Sequence, residues 1–518
     1  MTHRRLVHSL VPLLAMVVAA GCDSLLVEPA AGPEPAMIAF DLDPTPGPDL
    51  GPGDADRAGI QITRAGEMLL DTVVVFAPGS SEFSVPVRFR GASAQVQIRV
   101  ELRREHLPVA RALATTELRA RRVNDVPLEL GGPATVPLTP ATGVSTGVYH
   151  TCATTGIGAF CWGTNERLQL GSEQGEVSTL PIEPGGGARN LVTISTGFLT
   201  SCGLNAAGRA FCWGSNVRGS LGTGSSPERT PEPLPIGGAL RFASISVGGL
   251  HACALDLTGV AYCWGYNGFG QLGDGTTTDR STPTPVATEL RFTSLEAGYV
   301  HTCGIIDGGR ALCWGLNEFG QLGDGTQEDR LVPTPVAGQG RFASISPGGL
   351  HTCAVRLDQM VTCWGYNRFG QLGIGSDASQ AAPTNLSGDF RLIAVTAGGL
   401  HTCGLTAQGG AFCWGYNRSG ALGDGSDQDR SAPVPVLTGG VALAAISAGL
   451  HHTCAITVDG RPACWGFNLF GQVGDGSTLN RLRPQEVLRV APFLTERLAD
   501  RYALSARVEA LLAGRVDP

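Results

Sequence analysis

His301, Cys303 and Cys313 lie close together in the stretch HTCGIIDGGRALCWG (301–315). An imidazole and two thiolates are ligands that zinc prefers, so this stretch could form part of a metal site. The two cysteines could instead form a disulfide between neighbouring strands, which would stabilise the fold without doing chemistry. The choice between these readings depends on the elements that hold the three residues.

The spacing of the stretch predicts a β-hairpin. The midpoint between Cys303 and Cys313 falls in Asp307-Gly308-Gly309, and a three-residue loop with glycine is a common hairpin connection. Directly opposed residues in such a hairpin lie about 4.5 Å apart at Cα, within disulfide range. His301 shares a strand face with Cys303, so a zinc site stays geometrically possible. The usual C-x-x-C or H-x-x-x-H zinc spacing is absent, and we therefore favour the disulfide and expect no metal.

The stretch is one copy of a repeat that extends over residues 139–490. A tryptophan recurs every 50 or 51 residues, and the seven copies use every tryptophan of the chain: Trp162, Trp213, Trp264, Trp314, Trp364, Trp414 and Trp465. A fixed period of this size predicts a propeller or a solenoid. Each copy supplies four short candidate strands, such as RFASIS, HTCAV, VTCWG and a proline-containing fourth strand, and four strands make one propeller blade.

The repeats also account for fourteen of the fifteen cysteines, two in each copy. Disulfides form in oxidising compartments, so this pattern predicts a protein that works outside the cytoplasm. We expect seven disulfides, each within one blade: Cys152–Cys161, Cys202–Cys212, Cys253–Cys263, Cys303–Cys313, Cys353–Cys363, Cys403–Cys413 and Cys454–Cys464.

The repeat motif, Gly-x-x-His-Thr followed by Trp-Gly-x-Asn-x-x-Gly-Gln-Leu-Gly-x-Gly, resembles the regulator-of-chromosome-condensation repeat. The resemblance implies a seven-bladed β-propeller. The first two copies depart from the pattern, with Leu168 in place of a glycine and Thr200 in place of the histidine. The glycine of the motif falls at Gly147, Gly197, Gly248, Gly298, Gly348, Gly398 and Gly449, and its asparagine at Asn165, Asn216, Asn267, Asn317, Asn367, Asn417 and Asn468.

The resemblance leaves several functions open. The eukaryotic namesake is a guanine-nucleotide exchange factor, but its GTPase is intracellular and export argues against that role here. A secreted bacterial β-lactamase inhibitor resembles the same propeller, so inhibition of a secreted enzyme is an alternative. The sequence shows no nucleophile–base pair, paired carboxylates or phosphate-binding loop. We expect a non-enzymatic protein without a cofactor that binds an unknown protein partner through rim loops, with segments 276–281 and 327–332 as candidate contacts.

The first 22 residues predict a secretory signal peptide. Arg4 and Arg5 precede an apolar run that is too short to span a bilayer comfortably. Ala19-Ala20-Gly21-Cys22 then resembles the lipobox of bacterial lipoproteins, which implies lipidation of Cys22 and a membrane anchor in the cell envelope. An ordinary cleavage site with an incidental cysteine is the alternative.

The remaining segments complete the predicted organisation. Residues 23–57 are rich in proline and glycine and predict an extended tether, whereas residues 58–138 contain short alternating strands that predict a small immunoglobulin-like β-sandwich. Residues 491–518 have the apolar spacing of a C-terminal helix. The net charge of -8 argues against a nucleic-acid partner, and the absence of lysine is typical of a high-GC bacterial genome. We expect a monomer.

Overall fold

The structure, a computed structural model, describes seven strand segments between residues 36 and 127, and then residues 135–490 except 139, 157, 174, 187–189, 225 and 226. The chain divides into two compact units, Met1–Gly132 and Pro133–Pro518. The signal peptide, Cys22 and the C-terminal segment predicted as a helix lie outside the described residues. Residues 133–138, which we assigned to the sandwich, belong to the second unit.

The described part of the N-terminal unit consists of strands. The strands are β1 (Ala36–Asp41), β2 (Arg57–Arg64), β3 (Glu67–Val75), β4 (Glu82–Val87), β5 (Ser93–Arg104), β6 (Leu107–Arg119) and β7 (Val123–Pro127). They pair in the orders β4-β1-β7 and β3-β2-β5-β6. The first strand corrects our assignment of residues 23–57 to a tether, because the short apolar run AMIAFD pairs with β4 and β7 despite its proline-rich flanks.

The second unit is a propeller of seven four-stranded antiparallel blades, one for each repeat. This confirms the predicted all-β fold and the number of blades. From blade 1 to blade 7 the strands are β9 (Ala141–Thr146), β10 (His150–Thr155), β11 (Gly158–Thr164), β12 (Val177–Ile182); β13 (Leu191–Thr196), β14 (Thr200–Asn205), β15 (Ala210–Ser215), β16 (Arg229–Ile236); β17 (Phe242–Val247), β18 (His251–Asp256), β19 (Ala261–Gly265), β20 (Arg280–Pro285); β21 (Phe292–Ala297), β22 (His301–Ile306), β23 (Arg310–Gly315), β24 (Arg330–Pro335); β25 (Phe342–Pro347), β26 (His351–Arg356), β27 (Val361–Gly365), β28 (Gln380–Asn385); β29 (Ala394–Ala397), β30 (His401–Leu405), β31 (Ala411–Gly415), β32 (Arg430–Pro435); β33 (Leu443–Ala448), β34 (His452–Thr457), β35 (Pro462–Gly466) and β36 (Arg481–Glu486).

The ring of blades closes without a free gap. The first strand of each blade approaches the first strands of both neighbours, and β33 of blade 7 packs against β9 of blade 1, so the first strands surround the central channel. Backbone hydrogen bonds between blades follow the same circle, and Leu450 N donates to Gly147 O across the closure. Two short strands, β8 (Thr135–Pro137) and β37 (Leu488–Val490), pair with each other where the propeller chain begins and ends.

The core lies between blades and is built around the seven tryptophans. Trp314 of blade 4 packs with Cys253, Cys263 and Leu272 of blade 3, and the other tryptophans pack on the preceding blade in the same way. All seven indoles are fully buried. Burial of ~200 Å² of aromatic surface at ~25 cal/mol per Å² contributes at most about 5 kcal/mol for each tryptophan. The tryptophan period of the sequence is therefore the period of the blade interfaces.

Candidate protein-binding face

The cysteine pairs predicted from the hairpin spacing are the seven disulfides of the structure. In the stretch HTCGIIDGGRALCWG, Cys303 lies directly opposite Cys313 in the β22–β23 ladder, at a Cα separation of 4.1 Å. Their sulfur atoms are bonded to each other and cannot ligate zinc as thiolates. Seven disulfides are typical of a protein that folds in an oxidising, extracytoplasmic compartment.

His301 also has a structural partner, in the next blade. Its Nε2 lies 2.8 Å from Thr352 Oγ1, and the Thr352 hydroxyl donates to Gln321 O at 2.7 Å. The single hydroxyl proton is thus used, so His301 Nε2 carries the hydrogen and donates it to Thr352. The indole of Trp364 donates to the same Gln321 carbonyl at 3.0 Å. In six of the seven blades, one backbone oxygen receives two such donors from the following blade, and in blade 2 Ser220 O receives only the Trp264 indole.

This bond between a histidine and the following blade is present at six of the seven interfaces. At the seventh, both partners change together: blade 2 has Thr200 in place of the histidine, and blade 3 has Ala252 in place of the hydroxyl residue. The six histidines are buried, and burial lowers the pKa of each to about 3, so they are neutral at physiological pH. The histidines hold blades together and are enclosed away from any substrate.

The glycine three residues before each histidine has a steric reason. A Cβ on Gly348 would lie 2.4 Å from Gly398 O of the next blade and 2.9 Å from the His351 ring. Both atoms belong to packed elements, so a larger residue would force neighbouring blades apart. The motif glycines are therefore part of the blade interface.

The long connections between third and fourth strands are held by their asparagine and aspartate side chains. In blade 3, Asn267 Oδ1 accepts from Leu272 N at 2.9 Å, and Asp279 Oδ1 accepts from Asn267 N at 2.8 Å. Arg280 forms a 2.7 Å salt bridge with Asp274. Partial burial opposes ionisation of Asp274, but hydrogen bonds from Thr276, Arg280 and Asn267 outweigh it and lower its pKa.

These bonds show which side chains of the predicted contact segments are engaged within the loop and which are exposed. In segment 276–281 the side chains of Asp279 and Arg280 are engaged inside the loop, while Thr277 and Thr278 are exposed. In segment 327–332 Arg330 binds Asp324 in the same manner, and Gln327 and Glu328 are exposed. The repeated aspartate and arginine side chains thus stabilise the conformation of the loop.

One face of the propeller, which we term the long-loop face, carries these connections together with the turns between first and second strands. Half-buried aromatic rings from blades 4 to 7 and blade 1 follow one another around this face. Phe319 lies 4.9 Å from Tyr366, and Phe369 lies 5.2 Å from Tyr416, in each case across a blade boundary. We define the aromatic arc as Phe319, Tyr366, Phe369, Tyr416, His451, Phe467, Phe470 and Tyr149, whose neighbouring ring centroids are 4.9–6.4 Å apart.

The fold does not require aromatic residues at these positions. Blade 2 has Ser215 where blade 5 has Tyr366, and Arg218 where blade 5 has Phe369, yet it forms the same four strands. Aromatic rings and arginines dominate the binding energy of protein interfaces. The exposed Arg368 lies between Tyr366 and Phe369 in the sequence, which adds such a group to the arc.

The long-loop face is also acidic. Four Asp–Arg pairs lie within the loops: Asp274–Arg280, Asp324–Arg330, Asp424–Arg430 and Asp475–Arg481. Besides these pairs, the long connections carry the arginines Arg167, Arg218, Arg368 and Arg418, and a larger number of acidic side chains: Glu166, Glu173, Glu176, Glu228, Asp279, Glu318, Glu328, Asp329, Asp377, Asp427 and Asp429. Such a surface favours a partner with positively charged groups. The aromatic arc could not be predicted from the sequence, because its rings meet only when adjacent repeats lie side by side.

The family model described as the RCC1-like domain matches residues 188–503, which is more than half of the chain. The chain belongs to the RCC1-like domain family. This confirms the family that the repeat motif resembles. The described part of the chain contains no helix that is both long and apolar enough to cross a membrane.

Curated relatives share part of the RCC1-like repeat. The probable E3 ubiquitin-protein ligase HERC4 of Homo sapiens is 36% identical over 92 residues, which are 17% of this chain and 9% of HERC4. The probable E3 ubiquitin-protein ligase HERC6 of Homo sapiens is 32% identical over 134 residues, which are 25% of this chain and 13% of HERC6. The chain thus spans about a tenth of the length of these relatives.

Solved structures of other proteins have the same fold. Human WBSCR16 superimposes with a TM-score of 0.58 at 22% identity, over 63% of this chain and 94% of that protein. Prp20p of Saccharomyces cerevisiae, studied for its binding to Gsp1p and histones, has a TM-score of 0.55 at 21% identity, over 62% of this chain and 82% of Prp20p. At these identities the likeness shows the fold alone.

Proposed function

We propose that this protein is a non-enzymatic binding scaffold, anchored by a lipid on Cys22 outside the cytoplasm, and that it binds its protein partner through the aromatic arc. The observation that carries the proposal is the arc itself, since six of its eight half-exposed rings occupy positions where blade 2 has Ser215 or Arg218 and still forms the same four strands. The seven disulfides support the location, because they need an oxidising compartment.

The arrangement of the blades supports binding over catalysis. The recurring histidines form hydrogen bonds between blades, and the recurring aspartates form salt bridges within the loops, so neither set is available for catalysis. A rigid ring that presents preformed rings and arginines loses little conformational entropy when a partner docks, and this favours affinity. The acidic side chains around the arc would speed the approach of a basic partner.

Site-specific photo-crosslinking on living cells tests the binding face. A photoreactive phenylalanine analogue at Tyr366 or Tyr416 is expected to capture one main partner. The matched control places the analogue at Leu357, which is 63% exposed on a hairpin at the opposite face. Capture from Leu357 alone, or from no position, would refute the proposed face. If the captured protein is a secreted enzyme, an activity assay with added propeller distinguishes an inhibitor from a passive scaffold.

A double variant separates binding from folding. Tyr366→Ser combined with Phe369→Arg copies the residues of blade 2, so the blade is expected to fold normally while capture from Tyr416 falls at least tenfold. Tryptophan fluorescence checks the fold.

For the anchor, Cys22→Ser is expected to move the protein from the membrane fraction to the soluble fraction, and unchanged fractionation would refute lipidation at Cys22.

A further inference from the structure

The first strands of the blades are joined by a ring of hydroxyl groups around the central channel. In each case a serine or threonine oxygen accepts a hydrogen bond from a backbone N–H of the next blade. For example, Ser346 Oγ accepts from Ala397 N at 2.9 Å, and Thr396 Oγ1 accepts from Ala448 N at 3.1 Å. Six of the seven equivalent positions have this bond: Ser145, Ser195, Ser246, Ser346, Thr396 and Ser447.

The seventh position is Glu296 in blade 4. The residue of blade 5 that would donate to it is Pro347, which has no backbone N–H. The carboxylate therefore takes no part in the ring of backbone bonds, and blade packing does not require it. It accepts one hydrogen bond, from Ser246 Oγ at 2.9 Å. No arginine in the described part of the chain forms a salt bridge with it.

The side chain of Glu296 is exposed to solvent, but protein atoms surround it closely enough to desolvate its carboxyl group. It lies on β21, an innermost strand, so its exposed surface faces the central channel. The surrounding blades raise the pKa of its carboxyl to about 7, against the opposing effect of the Ser246 hydrogen bond. A carboxylate in such surroundings is poorly compensated, and a cation beside it would relieve that cost.

The carboxylate lies at the end of the channel that opens on the long-loop face. β21 ends at Ala297, one residue after Glu296, and continues into the turn that carries Tyr299. Burial and the charge of the neighbouring Tyr149, a residue of the aromatic arc, raise the pKa of the Tyr299 hydroxyl, so this phenol stays neutral.

We propose that the mouth of the central channel is a binding site for one cationic nitrogen group, an ammonium or a guanidinium, and that Glu296 binds it through a charge-assisted hydrogen bond. The position favours this ligand, since Glu296 is the one carboxylate in a ring of hydroxyls and has no cationic partner within the described residues. The cation comes either from a free amine or from an arginine or lysine of the partner. Only the second source rests on the proposed function.

Calorimetry with small probes tests the site directly. n-Butylguanidinium and n-butylammonium chloride are titrated into the full chain at about 0.15 M salt, where distant surface charges are screened. At least one probe is expected to bind, and uncharged n-butanol is not. Glu296→Ser introduces the residue that most blades carry at this position, so the fold is expected to persist while affinity falls at least tenfold.

The control is Glu318→Ser, which removes an exposed acidic side chain from the same face but outside the channel. Binding by wild type and E318S, with loss in E296S, supports the site. No binding of either cation to wild type, or equal binding to E296S, overturns it. Binding of a probe while Tyr366 captures no protein would support the channel site and refute the proposed partner face.

A competition experiment identifies the source of the cation. If butylguanidinium suppresses capture of the partner from Tyr366 in wild type but not in E296S, the partner inserts a basic side chain into the channel. If the probe binds without affecting capture, a free amine is the ligand. Both results support the site.

Discussion

The bond between His301 and Thr352 is expected to contribute measurably to the stability of the propeller. Thr352→Ala removes the hydroxyl that lies 2.8 Å from His301 Nε2 and 2.7 Å from Gln321 O. Both His301 and Thr352 are fully buried, so water cannot replace the lost hydroxyl without entering the core. The substitution therefore tests whether blades are joined by specific polar bonds or by apolar packing alone.

The expected loss in the free energy of unfolding follows from the hydrogen bonds that each partner retains after the substitution. Gln321 O still accepts from the Trp364 indole at 3.0 Å, so its loss is small. His301 Nε2–H has no second acceptor, and a buried unsatisfied donor costs about 1–3 kcal/mol. We expect Thr352→Ala to lower the free energy of unfolding by about 2 kcal/mol. Thr352→Ser should cost much less, since Ser201 fills this role for His150 at 2.9 Å.

A double-mutant cycle isolates the bond. His301→Thr combined with Thr352→Ala copies the pair Thr200 and Ala252, which the chain already uses between blades 2 and 3. Because neither side of the double variant leaves the bond half-made, we expect a coupling energy of about 1–2 kcal/mol between the two sites.

Equilibrium unfolding in guanidinium chloride, followed by tryptophan fluorescence, measures these effects. All seven tryptophans lie in the propeller, so the signal reports this unit within the full chain. Additive costs in the cycle, or a Thr352→Ala variant that unfolds at the wild-type denaturant concentration, would refute the reasoning.

Three further predictions concern burial, close approach and cross-linking. The six blade histidines are neutral in the folded protein, with pKa values near 3. The free energy of unfolding is therefore at its full value above about pH 6.5, and below that pH it falls with acidification by about 1.4 kcal/mol per pH unit for each histidine. Equal unfolding midpoints at pH 7 and pH 5 would contradict this. Gly323→Ala places a Cβ 2.5 Å from the Trp364 indole and should destabilise more than Gly325→Ala, which has a similar positive φ but open space around it; thermal melting compares the two. Replacing Cys303 and Cys313 with alanine should cost about 2–3 kcal/mol in chemical unfolding, and alkylation of the unreduced native protein should leave all fourteen propeller cysteines unmodified, whereas widespread labelling would show free thiols.

Features set by residues near one another in the chain were predictable. The pairing of Cys303 with Cys313 depends on a hairpin of about ten residues, whose register follows from its loop length and the alternation of the strands. The tryptophan period predicted the blades because each blade buries the same large side chain against its neighbour. The strand Ala36–Asp41 was missed because its proline-rich flanks dominated the composition of a segment that pairs only with distant strands.

Features that join different repeats needed the folded ring. The partner of His301 is Thr352, about one repeat away, and no local spacing shows that the two side chains meet. The rings of the aromatic arc likewise belong to consecutive blades. Glu296 and Pro347 are visible in the sequence as departures from the repeat, but only the ring shows that one replaces a hydroxyl acceptor and the other removes its donor. Periodicity and local geometry are encoded along the chain, whereas side-chain partners and the shape of a binding surface arise when the seven blades close on one another.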